Sequence, residues 1–129
     1  MDILHINPVS LHRSPAFSQG VMVTNPGKLL VVGGQNGTDA TGQLVGDDLG
    51  SQTKQALRNV LEVLKAAGAE QQHVLKLTIY LAAGQSAEAG FEASREVWGF
   101  HPTAVSVLYV AAIGRPGTLV EIEALAVVP

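Results

Sequence analysis

The stretch LVEIEALAVV, residues 119–128, decides the fold, because it is almost continuously apolar and carries two carboxylates near its start. Successive side chains of a strand point to opposite faces of a sheet, so Val120 and Ile122 share one face while Glu121 and Glu123 share the other. Both faces carry further apolar residues, which is typical of a central strand covered on each side. A carboxylate there costs free energy unless it is paired, hydrogen-bonded or protonated. The stretch therefore predicts a central strand with either a cleft or a solvated end at Glu121.

The composition favours one globular domain over residues 1–129 that associates with other copies. The chain is 47% apolar and 15% charged, whereas a typical globular domain carries roughly 25% charged residues. This apolar surplus predicts an oligomer interface. No apolar run reaches the roughly 20 residues of a membrane span, and the first residues lack the pattern of a signal peptide. We therefore expect a cytoplasmic protein that has no membrane partner.

Two further counts exclude classes of chemistry. The chain has no cysteine, which rules out disulfides, thiolate catalysis and thiolate metal sites. Its net charge is −3, with Lys and Arg scattered along the chain. Nucleic-acid binding requires a concentrated basic surface, so we expect no nucleic-acid partner.

Two helices follow from hydrophobic spacing and capping residues. Apolar residues recur at three- and four-residue steps over residues 49–67, with Asp47 or Asp48 as the N-cap and Gly68 just past the end. The second helix spans residues 86–98 and contains Gly90. Its expected buried side consists of four residues: Ala89, Ala93, Val97 and Trp98.

The remaining elements are predicted as strands. A short strand near residues 3–6 is followed by a hairpin that joins residues 22–24 to 29–32 through the turn NPGK, and GGQNG ends its second strand. Residues 74–81 and 104–110 complete the set. This order predicts an α+β fold, a mixed sheet with two helices on one face. Because no helix is left for the other face, another subunit is its expected cover.

Few patterns in the chain carry specific chemistry. The four histidines show no helical i, i+4 pair and no HExxH motif, so surface or structural roles are favoured over metal binding. GGQNG supports phosphate binding only weakly, and a tight turn is favoured over backbone donors that line a ligand pocket. For Glu121 two interpretations stay open: an acid–base group in a dry cleft, or a carboxylate that lies with Glu123 at a strand end and is either solvated or paired with Arg115.

Five short motifs, in order, resemble the Rid family (YjgF/YER057c/UK114). They are Gly34-Gln35, QTKQALRNV at 52–60, AAGA at 66–69, VLKLTIYL at 74–81 and VEIEA at 120–124. The resemblance implies a chorismate-mutase-like fold and a homotrimer whose sheets form an inner barrel. It also implies three clefts between subunits, each able to bind a small molecule.

The enamine/imine deaminase branch of that family hydrolyses 2-aminoacrylate-type intermediates without a cofactor. A cleft arginine clamps the substrate carboxylate, and a glutamate on the last strand activates water. The resemblance places this glutamate at Glu121 but replaces the arginine by Ala104, which predicts an arginine-less subgroup outside the deaminase branch. It also places Phe17, Gly33 and Ser106 in the cleft.

We add Phe91 to the expected lining, and Arg95 and Arg115 are the other arginines considered as replacements for the clamp. Losing a charge-assisted clamp costs about 1.5 to 3 kcal/mol in binding an anionic substrate. Two functions follow. One is hydrolysis of an imine, enamine or related C–N bond by Glu121 without cofactor or metal, and the other is ligand binding without catalysis. Ribonuclease activity, attached to some relatives, is disfavoured by the acidic charge balance.

Overall fold

A computed structural model describes residues 1–129 and contains two helices and six strands. In chain order they are β1 (Asp2–Ile6), β2 (Gly20–Thr24), β3 (Lys28–Gln35), α1 (Leu49–Ala67), β4 (Val74–Ala82), α2 (Ala87–Trp98), β5 (Ala104–Val110) and β6 (Val120–Val128), with a short 3₁₀ turn at Gln71–His73 before β4. Neither helix combines the length and the apolar character that a membrane-spanning helix requires.

The last strand occupies the central position predicted for it. In the four-stranded sheet, ordered β3-β6-β4-β5, β6 runs antiparallel to both of its neighbours. The β4 and β5 strands are parallel, and α2 connects them as a βαβ crossover. In the register of β6 with β4, Glu121 lies opposite Tyr80 and Glu123 lies opposite Thr78. The mixed sheet of the predicted α+β fold is therefore confirmed.

The predicted hairpin between residues 22–24 and 29–32 is wrong. The β2 strand instead pairs with β1 in a separate two-stranded sheet, and β3 pairs with β6. Between the two strands the chain bends at Asn25, which has a φ of 48°. The β6 strand offers β3 a longer antiparallel partner than the five-residue β2, so the long-range pairing replaces the local one.

The first helix begins and ends where the sequence predicts. The Asp48 side chain accepts a hydrogen bond from the Ser51 amide, and Gly68 adopts the left-handed conformation at a φ of 83°. Leu57, Val60 and other apolar residues of its inner face are buried in one cluster with Ile122 of β6. This helix covers one side of the sheet.

The second helix packs less deeply than predicted. Of its residues only Gly90 and Trp98 are buried, and Ala89, expected on the buried side, is exposed. Its inner contact is with α1, since a Cβ on Gly90 would stand 3.3 Å from Leu49 Cδ2. The two helices approach closely at Gly90, because this residue has no side chain to separate them.

The expectation that β6 is covered on both faces holds in full only for the helix side within this chain, although Val127 on the other side is also buried. Val120 and Ile122 are fully buried there. On the opposite side Leu125 is 36% exposed, and on the adjoining β3 Leu29 and Val31 are 68% and 70% exposed. We call this uncovered side the open face.

Candidate functional site

The open face consists of alternate residues of the four-stranded sheet, and the strand register determines which residues these are. These residues share one side because neighbouring strands keep their pleats in register. They include Glu121, Glu123 and Leu125 of β6, Lys76, Thr78 and Tyr80 of β4, and Ala104, Ser106 and Leu108 of β5.

The Glu121 side chain packs against the backbone of Gly34, which has no side chain. Asn36 Nδ2 donates to Glu121 Oε1 at 3.2 Å, and a Cβ on Gly34 would stand only 2.6 Å from the Glu121 carboxyl carbon. The same Asn36 amide donates to the Val120 carbonyl, and the Asn36 carbonyl accepts from Asn59 of α1. The GGQNG segment thus forms a seat for the Glu121 carboxylate. The pairing with Arg115, one of the alternatives left open for Glu121, does not occur.

The second carboxylate has a different partner. The Tyr80 hydroxyl donates to Glu123 Oε1 at 2.7 Å. This hydrogen bond, with smaller effects of burial and of the charges on Glu123 and Glu121, raises the pKa of Tyr80 above its usual value. The phenol therefore stays protonated at neutral pH. Tyr80, Glu121 and Glu123 together line an open pocket of about 250 Å³, which is walled by Val110 and the loop after it.

The position of the missing arginine lies farther along the open face. Ala104 is opposite Lys76, and Lys76 Nζ donates to Ser106 Oγ at 2.7 Å. In the strand register Ala104 lies on β5, two strands away from β6, and it is level with Leu125, four residues along β6 from Glu121. These offsets separate Ala104 from Glu121 by roughly 16 Å. One chain therefore does not bring Glu121 together with Ala104 and Ser106.

Neither arginine considered as a substitute reaches this part of the sheet. The Arg95 guanidinium lies 3.5 Å from Glu92 and 4.4 Å from the centre of the Phe100 ring. The Arg115 guanidinium donates to the carbonyl of Gly42. The cation on the open face beside Ala104 is Lys76.

The remaining predicted residues divide between the two sides of the sheet. Gly33 is an exposed residue of β3, and its carbonyl accepts from Gln35 Nε2. Phe17 and Phe91 lie instead on the helix side, where both line a cavity of about 450 Å³ between α2 and the sheet. Within one chain the two phenylalanines are separated from Glu121 by the sheet.

Sequence reasoning missed three residues at this site: Asn36, Lys76 and Tyr80. For Lys76 and Tyr80 the signal was present, because alternate residues of a predicted strand that is parallel to residues 104–110 share the face of Ser106. Asn36 was included in the turn GGQNG, but its contact with Glu121 crosses 85 residues of sequence. Only the tertiary fold brings those two side chains together.

The chain is similar to known proteins over most of its length. A family profile described as Endoribonuclease L-PSP matches residues 9–128. A protein named 2-iminobutanoate/2-iminopropanoate deaminase from Capra hircus is 36% identical over 92% of this chain and 88% of its own. Its human counterpart by name is 35% identical over 86% and 79%. The chain belongs to this family, which is the Rid family.

Solved structures of other Rid proteins share its fold. YyfB of Yersinia pestis, a protein of unknown function in the conserved Rid protein family, superposes with a TM-score of 0.87 at 35% identity, over 99% of this chain and 100% of that one. A YjgF/YER057c/UK114 family member from Mycobacterium tuberculosis gives a TM-score of 0.66 at 31% identity, over 98% and 100%. The predicted Rid membership and α+β fold are confirmed.

Proposed function

We propose that this Rid protein is a homotrimer whose clefts between subunits bind a small metabolite. The exposed apolar residues of the open face support the assembly. Leu29 and Val31 are about two-thirds exposed, and Leu108 is 46% exposed. Apolar side chains grouped on one sheet face mark an interface. In a closed ring of three subunits, each open face would be covered by its neighbours.

Assembly would also bring together the predicted cleft residues that one chain holds apart. Ala104 and Ser106 of one subunit could then face Glu121 of another. Phe17 and Phe91, at the helix-side rim, would line the cleft from a neighbouring subunit. The proposed cleft therefore consists of Phe17, Gly33, Phe91, Ala104, Ser106 and Glu121, with contributions from two chains.

The proposed reaction is hydrolysis of an imine, an enamine or a related C–N bond. The observation that carries it is the Glu121 carboxylate, seated against Gly34 and oriented by Asn36. As water attacks the imine carbon, Glu121 accepts a proton from the water and passes it to the nitrogen that receives the C=N electrons. In the resulting carbinolamine, Glu121 moves the hydroxyl proton to the nitrogen, and the C–N bond breaks to release the amine and leave a carbonyl product. Such a positioned base contributes about 10²- to 10⁴-fold in rate.

We assign the protein to an arginine-less subgroup that favours neutral substrates. Glu121 and Glu123 line one pocket together, whereas Ala104 offers no positive charge. A carboxylate-bearing substrate would meet two carboxylates without the bidentate clamp that a guanidinium provides. Lys76 is a point charge already engaged by Ser106. The relatives named as 2-iminobutanoate/2-iminopropanoate deaminases support C–N chemistry, while Ala104 separates this chain from their substrate.

The test compares a neutral and an anionic substrate. Benzaldimine is generated in situ from benzylamine by an amine oxidase, and 2-aminoacrylate from serine by a dehydratase, with benzaldehyde and pyruvate release as readouts. We expect acceleration of benzaldehyde release and little effect on pyruvate. Strong acceleration of pyruvate release would refute the substrate preference. Thermal stabilisation by a ligand without turnover of either imine would instead establish a non-catalytic binding trimer.

An arginine restored at position 104 sharpens this test. The Ala104→Arg variant should accelerate pyruvate release about 10- to 100-fold, which corresponds to the worth of a charge-assisted clamp. Ala104→Met is the matched control, because it adds similar length without charge. If both variants behave alike, the lost charge at position 104 does not determine the substrate.

A further inference from the structure

We propose that the Tyr80 hydroxyl oxygen accepts a hydrogen bond from the N–H of the substrate imine, so that the site selects C=NH imines over imines whose nitrogen carries an alkyl group. This inference rests on the hydrolysis proposed for Glu121 and adds the residue that holds the nitrogen. Tyr80 lines the same pocket as Glu121 and Glu123. Tyr80 therefore determines which nitrogen the site accepts, while Glu121 acts at the carbon.

Tyr80 lies next to the proposed base on the open face. In the register of β4 with β6 it is directly opposite Glu121, and the Cβ atoms of opposed residues in an antiparallel pair are about 4.5–5.5 Å apart. Both side chains extend from the same face of the sheet. An imine that lies over this pair can therefore present its nitrogen to the phenol and its carbon to the water that Glu121 activates.

The proton of the phenol is already engaged by Glu123. The Tyr80 hydroxyl donates to Glu123 Oε1 at 2.7 Å, and hydrogen bonds to a carboxylate are roughly twice as strong as those between neutral groups. This hydrogen bond is the main cause that raises the pKa of Tyr80, so the phenol keeps its proton at neutral pH. A phenol has one proton to donate and can also accept. Since Glu123 holds the proton, Tyr80 offers a ligand an acceptor.

The other side chains of the pocket supply no donor to a substrate nitrogen. Besides Tyr80 and the two glutamates, the lining consists of Val110, Ala112, Ile113 and Gly114, whose side chains are apolar or absent. A carboxylate can only accept hydrogen bonds. The side chains of this pocket therefore match a ligand nitrogen that donates, and they leave a nitrogen without hydrogen unmatched.

This arrangement favours imines whose hydrolysis releases ammonia. A C=NH nitrogen carries the hydrogen that Tyr80 accepts, and the C–N bond then breaks to give ammonia and a carbonyl compound. In an N-alkyl imine a carbon replaces that hydrogen and faces the phenol and carboxylate oxygens instead. A site that hydrogen-bonds an N–H group discriminates strongly against an analogue that lacks it, because its own polar groups then stay unpaired.

The experiment compares benzaldimine with its N-methyl derivative. One flavin-dependent amine oxidase generates both imines in situ, from benzylamine and from N-methylbenzylamine, and both imines release benzaldehyde on hydrolysis. Each rate is expressed as the acceleration over the same mixture without this protein, which removes the difference in intrinsic reactivity. We expect the acceleration to be at least about tenfold larger for benzaldimine, because the N-methyl imine lacks the N–H that Tyr80 accepts.

Two variants link this preference to the phenol. Tyr80→Phe removes the acceptor, so it should lower the acceleration for benzaldimine about 3- to 10-fold and leave that for the N-methyl imine unchanged. Glu123→Ala keeps the phenol and frees its proton for donation to the N-methyl imine, so the ratio of the two accelerations should also fall. Tyr109→Phe is the matched control. This other tyrosine accepts from the Ala87 amide at the start of α2, and its replacement should change neither rate.

The outcomes distinguish the role of Tyr80 from the hydrolysis itself. No acceleration of either imine would refute the hydrolysis and the role of Tyr80 with it. Equal acceleration of both imines by the wild type, or an equal loss for both in Tyr80→Phe, would overturn the role of Tyr80 and leave the hydrolysis in place. If Tyr80→Phe fails to fold, an unchanged ratio in Glu123→Ala overturns that role.

Discussion

The helix side and the open face of β6 differ in what the same strand presents to its surroundings. Ile122 and Ala124 lie under α1 in a sealed apolar cluster, whereas Glu121 and Glu123, one residue away from them, lie half-buried among hydrogen-bond partners. Because side chains alternate along β6, the residues that form the core point to one side of the sheet and the residues of the candidate site point to the other. Substitutions on the helix side should act on stability, and those on the open face should act on assembly and activity.

The largest expected effect is on catalysis. Glu121→Gln removes the proposed base and should lower benzaldimine hydrolysis about 10²- to 10⁴-fold with little change in melting temperature. Glu123→Gln is the matched variant on the same face and should lower the rate less than about tenfold, since its partner is Tyr80 rather than water. Initial rates of benzaldehyde release, measured with the amine oxidase in excess and this protein limiting, test the difference. Equal losses in the two variants would contradict the separate roles of the two glutamates.

The next effect is on stability. Ile122→Ala leaves a cavity in the sealed cluster and should lower the free energy of unfolding by about 2–5 kcal/mol. This loss should not depend on protein concentration. Leu125→Ala lies on the same strand but on the open face, so its effect should grow on dilution as subunits separate. Urea unfolding at two protein concentrations distinguishes the two, and identical concentration dependence would remove the contrast between the faces.

A smaller effect concerns assembly. Val31→Asp places a charge among the exposed apolar residues of the open face and should raise the trimer dissociation constant at least about tenfold, because an unpaired buried charge is costly. Arg58→Asp on the outer side of α1, where Arg58 is exposed, is the control. Light scattering during gel filtration measures both masses. A wild-type monomer would refute the proposed trimer, and a Val31→Asp trimer that remains intact on dilution would place the interface elsewhere.

The smallest effect is a pH dependence on the helix side. The pKa of His101 is lowered by burial and by His5, so the unfolded chain binds the proton more readily than the folded one. Stability from this residue is therefore complete above about pH 6.5 and decreases as the pH falls below it. His101→Asn should flatten the urea midpoint between about pH 7 and pH 5, whereas His12→Asn, on an exposed residue, should leave the slope unchanged.

Most of the fold could be predicted from the sequence because its signals are local. The bounds of α1 follow from Asp48 and Gly68, and the central position of β6 follows from its apolar character on both faces. The predicted hairpin failed because a turn between two β-favouring segments does not reveal which strand each one will pair with. Strand choice depends on the competing partner, which lies about ninety residues away in the chain.

The candidate site was less predictable, since its geometry depends on contacts between distant segments. Glu121 was recognised as a costly carboxylate in an apolar strand. Its seat on Asn36 and the link between Tyr80 and Glu123 required the sheet register. The position of Phe17 on the helix side could not be inferred from order along the chain, because the register does not include the loop that carries it. The grouping of the predicted cleft residues across subunits stays a prediction.

The seat of Glu121 offers a way to move a reacting group without changing its chemistry. A methyl group at position 34 would overlap the Glu121 carboxylate, and its nearest neighbours are atoms at the flexible end of that one side chain. Alanine at this position would therefore displace the carboxylate by a fraction of its own size while the backbone stays in place. The size of the residue at position 34 therefore sets the position of the carboxylate. Small residues of increasing volume at this position would show how the reaction rate depends on that position.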